Sequence, residues 1–271
     1  GGTTIGFLMS AVLVITATLP ALSVATPKPF IQRLTAGVRL FALTPRLRGL
    51  LAISLATAAG GAMVFVNTVV LVRSSFGLGD RETAWALGAF GLGSISAAVL
   101  LSRLASSLGD RTAMLTGSVV MGAALLAGPF LATSYPVLLG LWVVIGFGYS
   151  LTITPSGRTL RRSAHAEDRP ALFAAQFALS HACWLLAYPL AGFIGSKAGI
   201  SASFLAMAVL CLAGAILAVL IWPARDPAEL LHSHPDLAPD DPHWADTQGG
   251  AHVHAYVIDD RHRRWPRSPV R

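Results

Sequence analysis

Seven long apolar runs organise the chain, at residues 5–25, 49–72, 84–101, 113–133, 136–155, 171–194 and 202–222. Each approaches or exceeds the ~20 residues a helix needs to cross a bilayer. None alternates polar and apolar positions as a half-buried strand would. The pattern predicts an all-α, polytopic membrane protein with seven transmembrane helices. Short polar connectors separate the runs, except for a longer one at 26–48, and from Pro223 onward the chain turns polar. Four regions follow: a single span at 1–25, a basic loop at 26–48, a six-helix bundle at 49–222 and a tail at 223–271.

Charge fixes the expected orientation. The loop at 26–48 carries Lys28, Arg33, Arg39, Arg46 and Arg48 and no acid. Counted alternately, the connectors on the side of this loop, with the start of the tail, hold twelve Lys/Arg against three on the other side. Lys and Arg in short loops are retained on the cytoplasmic face, so the loop and the tail are expected in the cytoplasm of a cell whose inner (plasma) membrane holds the spans. Only 12% of the residues are charged and 54% are hydrophobic, where a soluble domain carries about a quarter charged. The net charge of +7 lies at the ends of spans, where anionic head groups meet it. It therefore points to the lipid bilayer as partner and not to nucleic acid. Cys183 and Cys211 both fall inside apolar runs, which gives neither a disulfide framework nor a cysteine metal site. The chain opens without methionine and without the features of a signal peptide, so a truncated amino end is expected.

The spans are rich in small residues, among them Gly60, Gly61, Gly88, Gly91, Gly93, Gly122, Gly140, Gly146 and Gly148. Such residues let helices approach closely in lipid and predict a packed bundle. The Gly-x-x-Gly-x-Gly at 88–93 has no preceding strand and no following Lys, as a nucleotide loop would require. Polar side chains inside spans are few and mark candidate cavity positions: Asn67, Gln176 and His181. His181 is a candidate proton or metal ligand, or else a neutral imidazole donating to a neighbouring helix. Asn67 and Gln176 read first as hydrogen-bonders between helices. No span holds an acid.

The connector after the third span reads Ser106-Ser-Leu-Gly-Asp110-Arg111-Thr-Ala113-Met-Leu115. With one helix, a long basic loop and six further helices, this resembles helix six onward of a major facilitator superfamily transporter. That family carries Gly-x-x-x-Asp-Arg-x-Gly-x-Arg-Arg between the second and third helices of each half. Asp110 and Arg111 match it, Ser106 and Ala113 replace its glycines, and the trailing basic pair is missing. The resemblance implies secondary transport of a small molecule or ion by alternating access, with Asp110 and Arg111 at the cytoplasmic gate. It also implies that 49–222 is one half of the bundle, built from two inverted three-helix repeats, with 1–25 a remnant of a missing amino-terminal half. The arginines of 156–170 read as positive-inside anchoring or as a gate latch, and His165 among them as exposed.

The tail concentrates histidine: His232, His234, His243, His252, His254 and His262, interspersed with aspartates. Imidazole with carboxylate suits Ni, Co or Zn, so these six form a candidate metal-ligand pool, although no cofactor is required for transport. The composition predicts a mostly irregular tail, with strand-like alternation at 252–258. It is similar to the tails of the nickel and cobalt resistance branch of the superfamily, which implies a divalent-metal exporter. The alternative is a membrane-anchored metal sensor or scaffold whose working part is the tail. No Ser/His/Asp set, His-Glu-x-x-His or paired carboxylates within the spans suggest an enzyme.

Overall fold

Helices dominate the fold, as the apolar runs require. The computed structural model describes residues 2–17, 30–104, 108–227, 229–233, 251–259 and 262–266, without the side chains of 2–3, 30–34, 232–233 and 251–252. The chain divides into two units, Gly1–Phe30 and Ile31–Arg271. The first contains α1 (Gly2–Thr16), an apolar helix of 15 residues. At 1.5 Å per residue it is about 22 Å long, short of a ~30 Å hydrocarbon core. Six of the seven expected spans are met: among the described residues, six helices are long and apolar enough to cross a membrane. Residues 18–29, where the first span was expected to continue, lie outside the described residues.

The second unit begins within α2 (Phe30–Leu43), a helix inside the segment expected as a loop. Apolar residues recur there at Leu34, Gly37, Leu40 and Phe41, the spacing of one helical face, and Leu40 and Phe41 are buried. The six long helices follow: α3 (Pro45–Val70), continued by a π-turn at Leu71–Ser75, α4 (Asp80–Arg103), α5 (Asp110–Leu131), α6 (Tyr135–Ile153), α8 (Arg169–Ala198) and α9 (Ile200–Ile221), with short α7 (Ser156–Arg161) between α6 and α8. Pro45 occupies the first turn of α3, where its missing N–H is no loss. Pro129 and Pro189 lie inside α5 and α8.

Pairing among the long helices is close to symmetric. α3 packs on α9 as α6 packs on α5; α4 packs on α6 as α8 packs on α3; α5 meets α9. Exchanging α3 with α6, α4 with α8 and α5 with α9 maps each of these contacts onto another. Because successive spans alternate in direction, the exchanged helices run oppositely, which is the pairing pattern of two inverted three-helix repeats. The α8–α9 contact lacks a comparable α4–α5 counterpart.

Glycines set the closest crossings. A Cβ at Gly93 would strike the Val143 carbonyl, and one at Gly146 the Phe90 carbonyl, so α4 and α6 meet backbone to backbone. On α5 and α6, a Cβ at Gly117 would come within 2.5 Å of the Gly148 carbonyl oxygen. Gly88 and Gly91 face open space.

The tail folds over one end of this bundle. β1 (Glu229–Ser233) pairs antiparallel with β2 (Ala251–Ala255). Leu230, Tyr256 and Ile258 then join Leu47, Leu172 and Trp222 in a second buried cluster at that end. The strand-like alternation expected at 252–258 is met in part by β2, whereas its partner β1 and the docked segment were not expected.

Candidate gate and solute cavity

At the end of the bundle covered by the tail, ionic side chains from several helices converge. Gly109 is extended and Asp110 opens α5, placing a carboxylate at a helix N-terminus, where the macrodipole favours it. Pro155 ends α6, and the turns of α7 then set Arg158 and Arg162 four residues apart, on one side. Arg158 Nη2 lies 2.7 Å from Asp110 Oδ1, and its Nε donates to the same oxygen at 3.0 Å. Thr159 Oγ1 donates to Asp110 Oδ2 at 3.3 Å. Arg111 turns the other way: its Nε donates to the Trp222 carbonyl at 3.0 Å and its Nη2 to the Val219 carbonyl at 3.5 Å. It thus satisfies carbonyls left open at the C-terminus of α9.

A second acid, Asp226, gathers two donors and a further cation. Arg162 Nη2 lies at 2.5 Å, Trp222 Nε1 at 3.0 Å and Arg46 Nη1 at 3.6 Å. Arg46 is 2% exposed. Its guanidinium is covered by the Trp265 ring at 4.8 Å and donates to the Tyr256 carbonyl at 3.5 Å. A charge this deep is tolerable only when paired and hydrogen-bonded, so the tail belongs to this cluster. His165, expected to be exposed, is about half exposed and reaches Asp259 at 3.3 Å. Burial raises the Asp259 carboxyl, but the side-chain and backbone N–H of His262, its charge and His165 together outweigh burial and hold it well below the usual carboxylate range. Tyr256 is pushed up by burial and by the nearby Asp259. A cavity of 390 Å³ opens among Asp110, Arg111, Thr112, Arg158, Arg162 and Asp226.

A second cavity, of 160 Å³, lies between α3, α6 and α8 and includes Ser54, Thr57, Thr152, Gln176, Ser180 and Trp184 in its lining. Gln176 Nε2 donates to Ser54 Oγ at 3.2 Å, while Gln176 Oε1 is buried and accepts no hydrogen bond. The three candidate cavity residues are not brought together. Asn67 is buried elsewhere, donating to Ser203 Oγ of α9 at 3.0 Å. His181 is exposed, with Nδ1 at 2.7 Å from the Phe177 carbonyl of its own helix and its ring over Phe177, not on a neighbouring helix.

The matched sequence motif thus sits where the charges meet, although Ser106 lies outside the described residues. A comparison with protein families decides the kind of protein: the family model of the Major Facilitator Superfamily matches residues 50–248. The chain belongs to the major facilitator superfamily. It is a multi-pass membrane protein of a transporter family. No curated protein gives a significant match.

Sequence reasoning missed Arg46, Arg158, Arg162 and Asp226 as one cluster, because they are scattered over three connectors. The one signal was acid: Asp226 follows the last span directly, next to Arg225. It also missed Ser54, Thr57, Thr152 and Trp184, whose types are common in spans.

Among the tail histidines, His234 and His243 lie outside the described residues, and the side chains of His232 and His252 are not described. His262 is 3% exposed, pairs with Asp259 at 2.9 Å and packs its ring on Tyr256 and His254. Among the described residues no group of three His, Cys, Asp or Glu is placed to hold a metal ion.

Proposed function

We propose that the chain works as the carboxyl-terminal half of a secondary transporter of the inner membrane, moving a small solute by alternating access. The region 49–222 is the rocking half, 26–48 and the tail lie in the cytoplasm, and the ionic cluster is the gate on that face. The observation that carries this is the Asp110–Arg158 pair beside the Arg111 contact on α9. One short sequence thereby ties the connector after α6 to the end of α9, so both three-helix repeats are clasped at a single end. A gate needs such a clasp, breakable in exchange for water and partners on the other half.

The test replaces Cys183 and Cys211 with Ser, places a reporter by Thr112→Cys in the gate cavity and measures its labelling by a membrane-impermeant maleimide. Asp110→Arg or Arg158→Asp alone should raise the labelling rate several-fold. The two together, which restore an opposite pair, should return it toward the parent value. Equal rates in all four proteins would remove the gate role.

A second reading concerns the tail. The strand register sets His232 opposite His252, with His254 two residues along β2, a placement that supports capture of Ni, Co or Zn by the hairpin. Calorimetry on the full chain should then show metal binding that weakens below about pH 6.5, the ordinary histidine value, and that His232→Ala with His252→Ala abolishes. Binding unaffected by that pair would exclude the hairpin as the site. Metal as cargo draws no support from the solute cavity, which contains no His, Cys, Asp or Glu.

A further inference from the structure

The 160 Å³ cavity between α3, α6 and α8 has a chemistry of its own. Its hydroxyl protons are already committed. Ser54 donates to the Leu50 carbonyl at 3.0 Å and Ser180 to the Phe177 carbonyl at 3.0 Å, while Thr57 and Thr152, 2.8 Å apart, divide their two protons among the Ile53 carbonyl at 2.8 Å, the Tyr149 carbonyl at 2.7 Å and each other. Gln176 spends an amide proton on Ser54. What remains for an occupant, beside the second amide proton of Gln176, is acceptor capacity, foremost Gln176 Oε1, which is enclosed and unpaired. A buried acceptor without a donor is costly, and that cost is relieved by an occupant that brings an N–H or O–H.

Charge narrows the class further. None of the residues lining the cavity is ionisable, so an anion would meet lone pairs with no cation to balance it. A full positive charge would find no carboxylate.

The apolar side of the cavity combines Leu50, Ile53 and Ile153 with one aromatic residue, Trp184. Trp184 belongs to the lining and also to a cluster of rings, 6.2 Å from Phe65, 6.4 Å from Tyr149 and 4.9 Å from Tyr188 by centroid. Phe90 extends it, 5.2 Å from Tyr149. Gly61 leaves the space that the Trp184 ring fills. Ring separations of this size are those at which a further planar ring stacks favourably. The site is therefore amphipathic, with polar groups around Gln176 and the indole of Trp184 among aliphatic side chains.

We infer that this cavity binds an uncharged, planar aromatic solute, held by an N–H or O–H donor on Gln176 Oε1 and by stacking on Trp184. This rests on the transporter reading and names the class of its substrate. A site built to pair a donor rejects an analogue lacking it far more strongly than a pocket rejects a change of size.

The probe is indole, which has both ring and N–H, set against 1-methylindole, which has the ring alone. Equilibrium dialysis on the full chain in lipid nanodiscs, with empty nanodiscs subtracted, should show saturable indole binding. 1-Methylindole should compete at least ten-fold more weakly. Gln176→Leu should erase that discrimination, and Trp184→Ala should weaken both ligands. The comparison of the two probes on the unaltered protein needs no variant to fold. Binding that does not saturate, or equal affinity for the two probes, overturns the inference. So does sodium alone raising the melting temperature while indole leaves it unchanged, since that assigns the acceptors to a monovalent cation. This is an equilibrium measurement, whereas the gate is read from labelling rates, so either can fail while the other stands.

Discussion

At the scale of single residues, the sequence shows which positions are small or polar but not which way they face. Gly88, Gly91 and Gly93 read as one motif, yet only Gly93 lies against another backbone. Gly93→Ala or Gly146→Ala places a methyl on a carbonyl of the facing helix and pushes α4 from α6, an overpacking worth about 1–3 kcal/mol or more. Gly88→Ala and Gly91→Ala meet nothing within 4 Å and should leave stability unchanged or raise it by up to ~1 kcal/mol through helix propensity. Thermal unfolding in detergent separates the two pairs; equal destabilisation of all four would contradict the α4–α6 crossing. The polar residues show the same limit. Asn67 and Gln176 were legible as unusual groups in apolar runs. That Asn67 bonds Ser203 while Gln176 keeps an acceptor unpaired depends on how α3, α8 and α9 are rotated, which no local pattern encodes.

At the scale of elements, six of the seven apolar runs correspond to helices that can span a membrane, because twenty apolar residues in lipid leave the backbone few other ways to satisfy its hydrogen bonds. The connectors were harder. In α2 the apolar face at Leu34, Gly37, Leu40 and Phe41 was present in the sequence but masked by the count of arginines, and charge says nothing about local conformation. The hairpin β1–β2 joins residues some twenty apart, so its pairing is non-local. Only half of the Asp110-Arg111 pair acts as an ordinary ion pair. Arg111 instead caps α9, and a cation at a helix C-terminus is worth about 0.3–1 kcal/mol. Arg111→Met should therefore speed amide hydrogen exchange in the last turn of α9 by several-fold and leave the first turn of α5 unchanged. Exchange that rises equally in both would mean that Arg111 supports the whole end of the bundle and not that terminus.

At the scale of the whole molecule, the tail and the ionic cluster pack as one unit, since Arg46 is shielded by Trp265, donates to the Tyr256 carbonyl on one side and pairs with Asp226 on the other. Tyr256, Val257 and Ile258 are buried as the tail docks, and Asp259 fastens its far end between His262 and His165. The Asp259 carboxyl is held below its ordinary value in the docked tail, so docking favours the ionised form and protonation favours release. Its contribution is complete above about pH 4, the ordinary aspartate value, and is lost progressively as the pH falls below that. Hydrogen exchange at amides 251–259, corrected for intrinsic rates, should accordingly show protection that declines as the pH falls from about 5 toward 3. Asp259→Asn removes the ionisable partner while keeping a similar shape, so its protection should be weaker at neutral pH and flatter below pH 4. Matching profiles for the two proteins would show that the tail is held by Arg46, Trp265 and the buried apolar residues alone, and that Asp259 is only carried along.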